Sequence, residues 1–206
     1  MSEADQVSRR ELLRGLGISA ALATSGAGLV TLEAAQHAHN AVAENKSAAK
    51  GEYTPKCFNA HEYQTLRRLS DLIIPADDHS PGALEAGAAE WIDYMASNSP
   101  ELTQIFTGGF GWLDHHMKRL HGADFIDAKP GDQIAVLDVI AYRKNETPEN
   151  AEGVRFLGWV RNLVTDAYYT SPIGIKDLGY MGNTAVSEFY VPDEALQYAL
   201  KRSPFA

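Results

Sequence analysis

From residue 57 onward, apolar positions recur three and four apart along most of the chain, the spacing of one face of a helix. Tyr63, Leu66, Leu69 and Ile73 form the first such run. It opens on Asn59-Ala60-His61-Glu62, an Asn N-cap with Glu at N3, and it stops at Pro75. A second helix is predicted from Leu84 to Ala96, with Ala88, Trp91, Ile92 and Met95 on its apolar face. Ser99-Pro100-Glu101 starts a third, a serine cap with proline in the first turn. It carries Leu102, Ile105, Phe106, Trp112, Leu113, Met117 and Leu120, and Gly108, Gly109 and Gly111 predict a kink or break in its middle. Pro130-Gly131-Asp132 opens a fourth helix, with Ile134, Leu137, Val139 and Ile140. A fifth runs from Glu152 to Tyr168, with Phe156, Leu157, Trp159, Val160, Leu163 and Val164.

No paired strands with hairpin turns and no internal repeat interrupt this pattern. The expected fold is all-α, a small bundle of about five helices. Between the first two helices, Pro75-Ala76-Asp77-Asp78-His79-Ser80-Pro81-Gly82 reads as a loop fixed by prolines and a glycine. After Tyr169 the periodicity ends. Residues 170–192 read as a long, irregular, extended arm bearing Tyr180, Phe189 and Tyr190, closed by a short helix from Asp193 to Leu200.

The N-terminus has a different pattern. Ser8-Arg9-Arg10-Glu11-Leu12-Leu13-Arg14 precedes an uncharged stretch, Gly15–Leu32. A basic segment followed by an apolar one is the layout of a secretory leader, and Arg9-Arg10 ahead of Leu12 and Leu13 marks the twin-arginine variant. Glycines, serines and threonines dilute the apolar stretch, and a spanning helix needs roughly 20 strongly apolar residues. Ala41-Val42-Ala43 is the best A-x-A cleavage site, which divides the chain into a leader over 1–43, a polar linker over 44–56 and a helical domain over 57–206. The expected location is periplasmic, with membrane association only through partners. The twin-arginine route carries folded cargo, so the chain either binds a cofactor or travels with a protein that does.

Composition narrows the function. The net charge is −9, and the chain stays acidic without residues 1–43, which argues against nucleic acid and anionic lipid as partners. Cys57 is the one cysteine. It excludes an internal disulfide and a c-type haem, and leaves an intermolecular bridge, a free thiol or a small buried side chain.

Candidate chemistry is sparse. There is no dinucleotide fingerprint, no P-loop, no nucleophile elbow and no Glu-x-x-His pair of a di-iron bundle. His115, His116 and His121 cluster beside Asp114, but neighbours and residues five apart do not share a helix face. Asp77-Asp78-His79 could hold a cation, or simply shape a turn. No catalytic, cofactor or metal residue is assigned.

Three stretches resemble a known family. Leu66-Arg67-Arg68-Leu69-Ser70-Asp71-Leu72-Ile73-Ile74-Pro75-Ala76-Asp77-Asp78, with Pro81-Gly82-Ala83 and Ala86-Gly87, is the longest. Trp91-Ile92-Asp93 is the second; Tyr169-Thr170-Ser171-Pro172-Ile173-Gly174 with Leu178-Gly179-Tyr180-Met181-Gly182-Asn183 is the third. Together with the leader they resemble gluconate 2-dehydrogenase subunit 3. The resemblance implies a non-catalytic small subunit that carries the export leader and helps a large subunit mature. That large subunit is of the glucose–methanol–choline type and holds FAD; a multihaem cytochrome c subunit often accepts its electrons.

The contact surfaces then expected are the loop, with Asp77, Asp78, His79 and Pro81, and the arm, with Tyr169, Tyr180, Asn183 and Tyr190. Cys57 would be the bridge if one forms. Two readings remain beside this one: a stand-alone periplasmic metal-dependent enzyme, and a cell-envelope binding module.

Overall fold

The computed structural model describes residues 31–49, 51–180 and 190–202. Among the described residues there are eight α-helices, one 3-10 turn and no strand. The all-α expectation holds, and the number of helices is larger than about five. Arg9, Arg10, Leu12, Leu13 and Asn183 lie outside the described residues.

The first helix, α1 (Leu32–Ala48), crosses the boundary expected between leader and linker. Thr31 caps it by accepting from the Ala34 amide at 3.3 Å. Ala34, Ala35, Ala38 and Val42 form its buried stripe. Such small side chains let another helix approach closely. The Trp91 indole N–H reaches across to the Ala35 carbonyl at 3.1 Å. Residues 44–48 are therefore the last turns of a packed helix rather than linker.

The next helix, α2 (Ala60–Ile73), has the expected capping box: Asn59 Oδ1 accepts from Glu62 N, and Glu62 Oε2 accepts from Asn59 N, both at 3.0 Å. It buries Tyr63, Leu66 and Leu69. Helix α3 (Ala88–Ser97) starts four residues later than the pattern suggested, because Gly87 takes a left-handed conformation at φ +76°. It is the central helix, with all of its residues buried except Tyr94 and Ser97.

Helix α4 (Pro100–His121) runs unbroken through its glycines, contrary to the predicted kink. Gly109 explains why. A Cβ there would overlap the Phe156 ring. The glycine admits an aromatic ring from a neighbouring helix, α6 (Ala151–Tyr169), instead of breaking its own. Phe58, Phe106, Phe110 and Phe156 pack there with ring centroids 5.4–5.9 Å apart, mostly edge to face. Helix α5 (Pro130–Ile140) and the 3-10 turn Arg143–Asn145 complete the bundle.

The expected arm is not wholly extended. Ser171 caps a short helix, α7 (Pro172–Asp177), accepting from the Gly174 amide at 3.1 Å. The final helix, α8 (Asp193–Leu200), has the predicted bounds and buries no residue. No helix among the described residues is long and apolar enough to cross a membrane.

Candidate functional site

The loop after α2 and the segment after α6 meet on one face. Gly82 folds the loop tightly over itself: a Cβ there would sit 2.5 Å from the Ala76 amide nitrogen. Gly174 seats α7 against the end of α6, where a Cβ would overlap the Tyr168 carbonyl oxygen. Tyr168, 2% exposed, ties the two together. Its hydroxyl donates to the Pro81 carbonyl at 3.0 Å, with Ser80 Oγ at 2.8 Å and Asp177 Oδ2 at 3.3 Å. A cavity of about 270 Å³ opens between His79, Ser80, Pro81 and Ile173, Lys176, Asp177.

Those expected contact residues that are described lie on the surface. Asp77, Asp78, His79 and Pro81 are exposed. Asp77 is occupied by its own turn: Oδ1 accepts from the His79 and Ser80 amides at 2.8 and 2.9 Å. Those two amides hold its carboxyl below the ordinary carboxylate range. Tyr169, Leu178, Tyr180, Tyr190, Val191, Leu196, Tyr198 and Leu200 are all exposed, Tyr190 at 74%.

The histidines diverge. His116 stacks on Trp112 with centroids 4.7 Å apart, and burial, with Arg119 nearby, lowers its imidazole pKa. His121 faces Asp132 at 3.4 Å, and His115 is exposed. His61, which the sequence did not single out, bonds Asp114 at 2.7 Å, and this bond raises its pKa. Asp114 Oδ1 also accepts from the Phe125 amide at 2.9 Å, so the pair ties α2 to α4 and the turn that follows. Among the described residues no group of three or more His, Cys, Asp or Glu is placed to hold a metal ion.

Cys57 is half-buried, with Sγ 3.4 Å from Thr103 Oγ1. Burial pushes its thiol pKa up, so little of it is the reactive thiolate.

A larger groove, about 650 Å³, lies between residues 141–143 and α6. Tyr142, Arg143, Arg155, Trp159 and Arg161 line it. Arg161 donates to the Ala141 carbonyl at 3.5 Å. The groove is not legible in the sequence, since its arginines are separated by turns of helix; nor is the role of Tyr168, since its partners Ser80 and Pro81 lie in a distant loop.

The family model of gluconate 2-dehydrogenase subunit 3 matches residues 60–187, more than half of the chain. No curated protein and no solved structure matches it significantly. The matched span opens at the capped start of α2 and takes in the loop, Tyr168 and α7. The chain belongs to the gluconate 2-dehydrogenase subunit 3 family.

Proposed function

We propose that this chain is the non-catalytic small subunit of an exported dehydrogenase complex acting on a sugar or sugar acid. Its partner is a large subunit of the glucose–methanol–choline type, which holds the FAD and performs the oxidation. The small subunit binds that protein, aids its maturation and lends it the twin-arginine leader around Arg9-Arg10. A multihaem cytochrome c subunit fits the same complex as electron acceptor. The expected location is the periplasm, with membrane association through partners.

Family membership supports the role of subunit. The observation that carries the binding role is the apolar display after α6. Helix α8 puts Leu196, Tyr198 and Leu200 in water and buries nothing. An eight-residue helix has too few hydrogen bonds to hold itself together in water and depends on packing against a surface. Contiguous exposed apolar side chains mark interfaces, whereas single ones do not. Tyr169 and Tyr180, on either side of α7, are exposed too, and tyrosines are of the kind that anchor interfaces.

The test is co-expression with the large subunit, with and without this chain. The expected result is FAD-loaded large subunit in the periplasm only when this chain is present. A large subunit that is exported and fully active alone would defeat the escort role.

A further inference from the structure

The most informative feature outside the interface is α1 (Leu32–Ala48), which precedes the matched family span. It contains Ala41-Val42-Ala43, the A-x-A sequence that reads as the cleavage site. Here that sequence is in mid-helix, with five helical residues after Ala43 and Val42 buried.

The helix is bound along its length. Ala35 and Ala38 are fully buried. The Ala35 carbonyl accepts from Trp91, the largest fully buried side chain. His39 Nε2 and Thr170 Oγ1 are 3.0 Å apart, which ties α1 to the end of α6. The Thr170 hydroxyl proton goes to the Asp166 carbonyl at 2.7 Å, so His39 is the donor in this pair. Beyond Ala43, Asn45 makes two bonds with Thr54, and Lys46 reaches the buried Glu90 at 3.1 Å.

Proteolytic nicking concentrates in exposed, loosely held backbone. The side chains of Ala43 and Glu44 are exposed, but the bond between them lies within a hydrogen-bonded, docked helix rather than in loose backbone. A leader read by the twin-arginine machinery carries folded cargo, so α1 is already docked when a signal peptidase meets it. A cut after Ala43 would strip the Ala34, Ala35, Ala38 and Val42 stripe from the core and leave the Trp91 N–H without its acceptor. The five helical residues that remained would be too few to keep the helix.

We infer that the mature exported chain keeps α1, with the leader ending before Thr31. This rests on the reading of Ser8–Leu13 as an export leader. The upstream sequence offers a site: Ser25-Gly26-Ala27 has small residues at −3 and −1. It leaves an uncharged segment, Gly15–Thr24, within the roughly 7–15 residues that such leaders use.

The experiment has two arms. In the first, the full chain is expressed with its large subunit, recovered from the periplasm, and its N-terminus is read by intact mass. A start anywhere from Met1 to Thr31 is the expected result. A start at Glu44, or anywhere after Thr31, overturns the inference. In the second, full-chain Ala38→Glu and Gln36→Glu are compared by thermal unfolding. Both add a carboxylate to α1, but Ala38 is fully buried and Gln36 is exposed. Ala38→Glu is expected to lower Tm by about 5 °C or more, or to prevent soluble folding, while Gln36→Glu leaves Tm within about 2 °C. Equal behaviour of the two variants would mean that α1 is not docked. Retention of the wild-type chain in the cytoplasm would defeat the export reading alone, because the variant pair tests the helix without export.

Discussion

Asp166 shows how a single buried atom sets a pH dependence. Its Oδ2 is buried with no hydrogen-bond partner, and burial pushes its carboxyl pKa up to about 6 from 3.8. Between those values the folded chain binds more protons than the unfolded one. Its contribution is therefore neutral at acid pH, becomes unfavourable as pH rises through this window, and stays so above it. Asp166→Asn removes the charge and keeps the shape. One pKa unit corresponds to about 1.4 kcal/mol, and partial exposure reduces the whole effect to about 1–2 kcal/mol. Urea unfolding should show that gain at pH 8 and none at pH 4; an equal effect at both would mean that the charge is not the cause. The α4 glycines make a second case. Gly108 is exposed, with nothing within 4 Å of where a Cβ would sit, while Gly109 faces Phe156. Gly108→Ala should stabilise by up to about 1 kcal/mol through helix propensity. Gly109→Ala should cost about 1–3 kcal/mol, because the ring it meets is held against Phe106 and Phe110. If both variants shift the urea midpoint in the same direction, the packing account of Gly109 is wrong. Sequence alone gave both glycines one meaning, since propensity is local and the ring that separates them comes from another helix.

At the scale of elements, the segment before α2 is held by one carboxylate from far along the chain. Asp93 is fully buried and accepts from Tyr53 Oη at 2.8 Å and from the amides of Lys56, Cys57 and Phe58 at 2.7, 3.1 and 2.9 Å. Asp93→Ala leaves three amides and the Tyr53 hydroxyl without their acceptor, the Phe58 amide among them buried, a loss of about 3 kcal/mol or more. Hydrogen exchange at Lys56, Cys57 and Phe58 should speed up together; unchanged protection would show that other contacts hold the segment. This explains which parts of the fold were legible. Helices α2, α4, α5, α6 and α8 announce themselves through caps, prolines and periodic apolar positions within their own residues. Residues 53–56 look like linker because their order comes from Asp93, well over thirty positions away. Helix α1 was hidden for a different reason. An alanine stripe that packs against Trp91 has the same composition as the end of an export leader, so residues 34–42 fit two descriptions until their neighbours are known.

For the whole molecule, the question is which surface a partner would use. The loop was legible from its prolines and charges, and the tyrosines from their place in a stretch without periodicity. That the loop meets the end of α6 was not, because Tyr168 joins them by bonds to Ser80 and Pro81, nearly ninety positions away. A docking surface made this way should have two separable properties. The apolar display should matter for binding and not for folding, since Tyr180, Tyr190 and Tyr198 are at least 60% exposed. Their joint replacement by serine should leave the unfolding midpoint of this chain unchanged within about 0.5 kcal/mol, as expected for exposed positions. The same triple variant should lose co-purification with the large subunit by about tenfold or more, because interface tyrosines carry a disproportionate share of binding energy. Tyr168→Phe should behave oppositely in the isolated chain. It removes the hydroxyl that joins loop to helix and should lower stability by about 1 kcal/mol. If the triple variant destabilises the isolated chain, those tyrosines belong to the fold. If it binds the large subunit normally, the partner docks elsewhere, and the arginine-lined groove beside Trp159 becomes the surface to mutate next.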